Sequence, residues 1–96
     1  KSPYVEATVH NAGPEPVRIV EVDYPSASFG TESLAAGQDF HYRFKVQGEG
    51  DLKVAWIDSA HHPISVKGPT LHEGAEGSLG VVLSGTNAEW NLQVKP

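Results

Sequence analysis

The chain of 96 residues contains no cysteine, which excludes disulfide staples, thiol nucleophiles, CxxC redox chemistry and thiolate zinc centres together. Its absence leaves the compartment open, since exported proteins need not carry cysteine. Cations are scarce: Arg18, Arg43 and five lysines stand singly against twelve acids, for a net charge of −5. A nucleic-acid binder needs a basic stripe to displace counterions from phosphates, and an anionic membrane surface attracts the same feature. Neither nucleic acid nor membrane is therefore expected as a partner of this domain. Long apolar runs are missing too: the longest, Leu79 to Leu83, falls far short of the roughly 20 residues of a spanning helix. No basic-plus-apolar leader opens the sequence. It begins on Lys1 and contains no methionine, so we expect a processed or trimmed chain, with any export signal or anchor out of view.

The length suits one domain, residues 1–96, near the commonest domain size. Such a chain buries roughly 60–68% of the surface its unfolded form exposes, enough for a core without staples. The dominant pattern is period-two alternation. In Asp39–Gln47 the apolar Phe40, Tyr42, Phe44 and Val46 alternate with Asp39, His41, Arg43, Lys45 and Gln47. Successive side chains of a strand point to opposite faces, so this is a half-buried strand. Leu52, Val54 and Trp56 resume the pattern after Gly48-Glu49-Gly50, and the two segments read as a hairpin.

Val5, Ala7 and Val9 mark a first strand and Val17–Tyr24 a second. In the second, Val17 and Ile19 fall on one face and Val20, Val22 and Tyr24 on the other. Either both faces are covered or a bulge switches the phase. Ser28–Leu34 is a weaker strand, interrupted by Gly30. Ile64 and Val66 follow Pro63, a position typical of an edge. Leu79, Val81 and Leu83, then Trp90, Leu92 and Val94, close the chain around a Gly85-Thr86-Asn87 hairpin loop. Thr31–Gln38, the best helical window, is short and broken by Gly37. Seven to eight short strands with turns about every ten residues predict an all-β, antiparallel two-sheet sandwich. Its expected core is Val5, Val9, Val20, Val22, Phe40, Tyr42, Phe44, Leu52, Val54, Trp56, Leu79, Val81, Leu83, Trp90 and Leu92.

Two turns carry a resemblance. Val9-His10-Asn11-Ala12-Gly13 leads to Pro16-Val17 at the next strand, and Leu34-Ala35-Ala36-Gly37 precedes the long alternating strand. This arrangement resembles bacterial immunoglobulin-like modules of the CARDB type, in which an Asn-x-Gly turn follows strand one and a Leu-x-x-Gly turn precedes the middle strand. The likeness runs to about Val46, and Ala36 stands where such domains carry proline. It implies an immunoglobulin-like, extracytoplasmic (periplasmic, envelope or secreted) sandwich used as a spacer or binding module. It implies no catalytic residue.

Five histidines raise the question of a metal. His61 and His62 are adjacent and point apart on an extended chain, so one ion does not readily take both. Asp39 and His41 lie two apart on one strand face, and His10 joins them if its strand pairs alongside; such a set would suit zinc or copper. No His-x-His or His-x-x-x-His spacing occurs, and solvated surface histidines are the preferred reading, with no metal and no cofactor. Asp58, His61 and Ser65 share one loop region without a visible oxyanion donor, and no Gly-x-Ser-x-Gly elbow occurs. A glycosidase would need two carboxylates across a deep cleft. No enzyme is expected. Gly74-x-x-Gly77-x-x-Gly80 lacks a following Lys-Ser or Lys-Thr and carries Glu73 and Glu76, so it reads as a flexible turn rather than a phosphate loop.

The expected function is a non-catalytic spacer or protein-binding module. The alternative is a small-ligand binder, using either Tyr4, Tyr24 and Phe29 for carbohydrate or the histidines for zinc or copper. Pro63 and Lys67 guard one strand, and Pro14 and Pro16 interrupt the approach to another. The last strand has no internal proline. Its outward residues Glu89, Asn91, Gln93 and Lys95 are the candidate interaction edge for another protein or domain.

Overall fold

A computed structural model describes residues 3–95. The alternating segments form eight strands: β1 (Val5–Asn11), β2 (Val17–Tyr24), β3 (Ala27–Leu34), β4 (Asp39–Phe44), β5 (Gly50–Ile57), β6 (Pro63–Leu71), β7 (Glu76–Ser84) and β8 (Asn87–Lys95). There is no helix among the described residues. One sheet has the order β4-β1-β7-β8 and the other β3-β2-β5-β6. A single core joins them, including Val5, Val9, Leu79, Val81 and Leu83 from the first sheet and Val22, Phe29, Leu52, Val54 and Trp56 from the second. The architecture is a two-sheet β-sandwich. Burying each such aliphatic side chain contributes about 1.5–3 kcal/mol. The body is elongated, measuring 41 × 20 × 19 Å.

The chain crosses between sheets more often than its alternation suggests. β4 does not form a hairpin with β5: β4 pairs with β1, whereas β5 lies between β2 and β6. The connection passes over the end of the core, tied down by the buried Val46 and turned at Gly48, whose φ is 85°. Val46 continues the alternation of β4 past the end of the strand, which is why the two segments read as one hairpin. Pairing is antiparallel throughout the described residues except between β1 and β7, which run parallel from Val5↔Gly77 to Asn11↔Leu83.

The mixed phase of β2 comes from a bulge. Its register against β5 shifts between Arg18 and Glu21, Ile19 adopts a φ of 51°, and its side chain is 47% exposed while Val17, Val20 and Val22 are buried. A β-branched residue rarely takes this left-handed conformation, so the surrounding sheet imposes it. Gly30, read as an interruption, makes room for the bulge: a Cβ there would lie 2.0 Å from the Val20 carbonyl oxygen. β3 therefore continues through it.

Tyr42 is not in the core. It points inward from β4, but β4 is an edge and the ring is 42% exposed. Phe40, Trp90 and Leu92, also on edge strands, are half-buried. Core positions not anticipated are Ala7, Val17, Phe29, Leu34, Val46, Leu71, Ala75 and Ala88. The glycine run is also more ordered than expected. Only Gly74 lies in the turn before β7, whereas Gly77 and Gly80 lie within the strand. A Cβ on Gly77 would meet the Gln93 carbonyl oxygen at 2.0 Å.

Candidate functional site

The outer face of the β1–β4 pair collects the residues singled out as metal candidates. Strand pairing sets Glu6 opposite Arg43, Thr8 opposite His41 and His10 opposite Asp39. His10 Nδ1 donates to Asp39 Oδ1 over 2.5 Å, Thr8 Oγ1 and His41 Nδ1 are 3.1 Å apart, and Arg43 Nε is 3.4 Å from a Glu6 oxygen. Asp39, His41 and His10 thus share one face on adjacent rungs. Each imidazole engages its own rung across the ladder. No group of three His, Asp or Glu side chains among the described residues converges on a point able to hold a metal.

The three aromatics considered for carbohydrate do not form one open surface: Tyr24 and Phe29 meet in the seam between the sheets, and Tyr4 stands apart. Tyr4 stacks under the Arg43 guanidinium, 4.2 Å from its ring centroid. Phe29 is buried, and Tyr24 is half-buried against Phe44 at a centroid distance of 4.1 Å. Tyr24, Phe29, Phe40, Tyr42 and Phe44 fill the gap between the β3 and β4 edges, with Tyr42 stacked on Phe29 at 4.6 Å. Burial, and then the neighbouring Tyr42, push the Tyr24 hydroxyl pKa up from its usual value.

At the lower end, where β1 and β7 finish, a cleft of about 250 Å³ is lined by Asn11, Pro14, Pro16, Trp56, Asp58 and Leu83 among others. Asn11 is 1% exposed. Its Nδ2 donates to the Glu15 and Leu34 carbonyls at 2.9 and 3.1 Å, and its Oδ1 accepts from the Gly13 amide at 3.0 Å. Its own carbonyl accepts from Gly37 N at 2.7 Å. The Asn-x-Gly and Leu-x-x-Gly turns are therefore one structure, joined through Asn11 across both sheets. The sequence marks Asn11 as a turn residue but carries no signal of this reach, because Leu34 is brought to it only by the stacking of the sheets.

Asp58 is likewise committed to its loop, accepting from the Ala60 and His62 amides at 3.0 and 2.8 Å while His61 holds a φ of 66°. The carboxylate shapes a turn and makes no hydrogen bond to the His61 ring. At the opposite end Glu73 Oε1 accepts from Gly48 N at 3.1 Å, and His72 Nδ1 lies 3.0 Å from Glu49 Oε1, linking the β4–β5 and β6–β7 loops.

The flank formed by β6 and β8 is built differently. β8 is the outermost strand of its sheet and pairs with β7 in unbroken register from Glu76↔Lys95 to Ser84↔Asn87. Trp90, Leu92 and Val94 turn toward the core and remain half-buried, while Glu89, Asn91, Gln93 and Lys95 are exposed. The Trp90 ring lies on Gly68 of β6, where a Cβ would come within 2.6 Å of it, and its indole N–H is buried without a partner among the described residues. β6 itself contains Pro63 and Pro69 and shifts register against β5 between Asp51 and Lys53. Beside that shift the Thr70 hydroxyl donates to Asp51 over 2.6 Å, and Lys67 Nζ lies 3.1 Å from its other oxygen. These two partners, Thr70 first, hold the Asp51 carboxyl pKa below its usual value.

Of the four edge strands, β8 alone combines nine residues with a sequence free of proline and glycine. β4 has six residues, β3 contains Gly30, and β6 carries two prolines. No protein-family model matches this chain, and neither does any curated protein or solved structure.

Proposed function

We propose that this chain is a non-catalytic, immunoglobulin-like sandwich module that works outside the bacterial cytoplasm as a spacer or protein-binding domain. The open edge of β8 carries this reading. Its nine residues contain neither proline nor glycine, and they are paired on one side only. An exposed edge of this kind is a template for another strand, with main-chain hydrogen bonds giving affinity and alternate side chains giving selectivity. The extracytoplasmic setting rests on the resemblance of the two turns joined at Asn11, and the spacer role on the elongated body.

Amide hydrogen exchange in dilute solution tests the edge. Alternate amides from Glu89 to Val94 are expected to exchange rapidly, while those of β7, paired on both sides, stay protected. Uniform protection along β8 in the monomer would show that its outer side is already covered and would end this reading.

A further inference from the structure

The partner that fits this edge, we infer, is a second copy of the same chain, added antiparallel through β8 with Leu92 facing Leu92 across a two-fold axis. The inference rests on the reading of β8 as an open edge and names what occupies it. β8 carries one acid and one base, Glu89 and Lys95, both exposed on its outer face. They lie symmetrically about Leu92. When two copies pair antiparallel about that residue, Glu89 meets the partner's Lys95, Asn91 meets the partner's Gln93, and the two-fold axis repeats both contacts.

Antiparallel pairing requires partners of the same hydrogen-bonding type, so the register can slide only in steps of two residues. No other allowed register places Glu89 opposite Lys95. On the inner side the same register sets Leu92 beside the partner's Leu92 and Trp90 beside the partner's Val94. These three side chains are half-buried, with no described strand beyond β8, and a neighbouring strand would cover them. The charge row also continues inward, since Lys95 is paired with Glu76 of β7. Each Lys95 then stands between its own Glu76 and the partner's Glu89. Prolines in β6 keep the second sheet from joining in the same way, so only the β4-β1-β7-β8 sheet continues across the axis, as one sheet of eight strands. A single paired edge is small beside the roughly 1,200–2,000 Å² of stable interfaces, so self-association is expected in the micromolar-to-millimolar range.

Sedimentation equilibrium over that range tests the proposal with the wild-type chain, Glu89→Lys and Lys95→Glu. Each variant alone places like charges opposite each other twice. Association is expected to weaken about tenfold or more relative to wild type. An equimolar mixture of the two variants restores both opposite-charge pairs, and it should associate more strongly than either variant alone. Amides of β8 that exchange freely in dilute wild type should become protected as the dimer forms. If the wild type associates but both variants associate equally well, another surface or register is responsible and the proposal fails. A chain that stays monomeric at millimolar concentration with free alternate β8 amides keeps its open edge but loses self-pairing. Uniform protection in the monomer would remove the edge and the dimer together.

Discussion

Along the flank where β3 meets β4, five aromatic rings fill the space between the sheets. Along the flank where β6 meets β8, a single indole lies on a glycine among half-buried aliphatic side chains. The aromatic flank ends in the six-residue β4 and in β3, whose Gly30 packs against the bulged β2, and its seam is sealed by side chains. The aliphatic flank has one edge guarded by Pro63 and Pro69 and one, β8, with no guard in its backbone. The core is thus closed on both sides, while the four edges differ in length and in proline and glycine content. Core closure and edge protection are separate properties, set by different residues.

The largest expected effect separates the two seams. Phe29→Ala removes a buried ring that touches four other aromatics and should cost about 3–5 kcal/mol, measured by chemical denaturation. Trp90→Ala, at a half-buried position, should cost roughly half as much. Equal losses would mean that the indole alone closes its flank as effectively as five rings close the other.

Gly68→Ala comes next. The new methyl meets the Trp90 ring and should destabilise by about 1–3 kcal/mol. Combined with Trp90→Ala, the same substitution should be nearly silent, and the non-additivity in a double-mutant cycle measures the contact. Additive effects would show that Gly68 matters for its backbone rather than for the ring above it.

The smallest effects are opposite in pH. Asp51, on the β6 side, has a folded-state pKa depressed by Thr70 and then Lys67. Its stabilisation is present above the usual aspartate range and is lost as pH falls through the depressed value. Tyr24, on the aromatic side, has a folded-state pKa raised by burial and then by Tyr42. Its neutral hydroxyl costs nothing below the usual tyrosine range, and stability is lost as pH rises above it. Melting curves should therefore show Asp51→Asn flattening the acid limb alone and Tyr24→Phe the alkaline limb alone. A variant that altered neither limb would detach its residue from the pH response.

Much of this fold was legible in the alternation, because a side-chain period of two is set by the strand itself. The phase switch in β2 was legible as a conflict between Ile19 and Val20, though choosing a bulge over double coverage needed the partner strand. Partner choice was not legible. Phe40, Tyr42 and Phe44 look equally apolar in sequence, yet on the edge strand β4 Phe44 is buried, Phe40 half-buried and Tyr42 exposed. Phe29, beside a turn, is buried because the β4 rings close over it. The Glu89–Lys95 face was legible as a polar face lacking proline, but its place at the end of a sheet follows from crossovers that no local pattern encodes. Asp39, His41 and His10 were legible as a conditional set, and pairing of β1 with β4 brought them to one face without converging them on a point.

The parallel pairing of β1 with β7 has a consequence in time. β1 occupies the interior of its sheet, and the strand that completes it comes from near the far end of the chain. Loop-closure entropy must be overcome across most of the sequence before this contact forms, which places refolding in the range of milliseconds to seconds rather than microseconds. In any partly folded chain that has paired β1 with β4 but not with β7, β1 is itself an open edge. Such a chain exposes the backbone of a strand whose inward face is Val5, Ala7 and Val9. Delivery of the β7–β8 hairpin then buries that edge and moves the unpaired backbone outward to β8, whose outer face is polar.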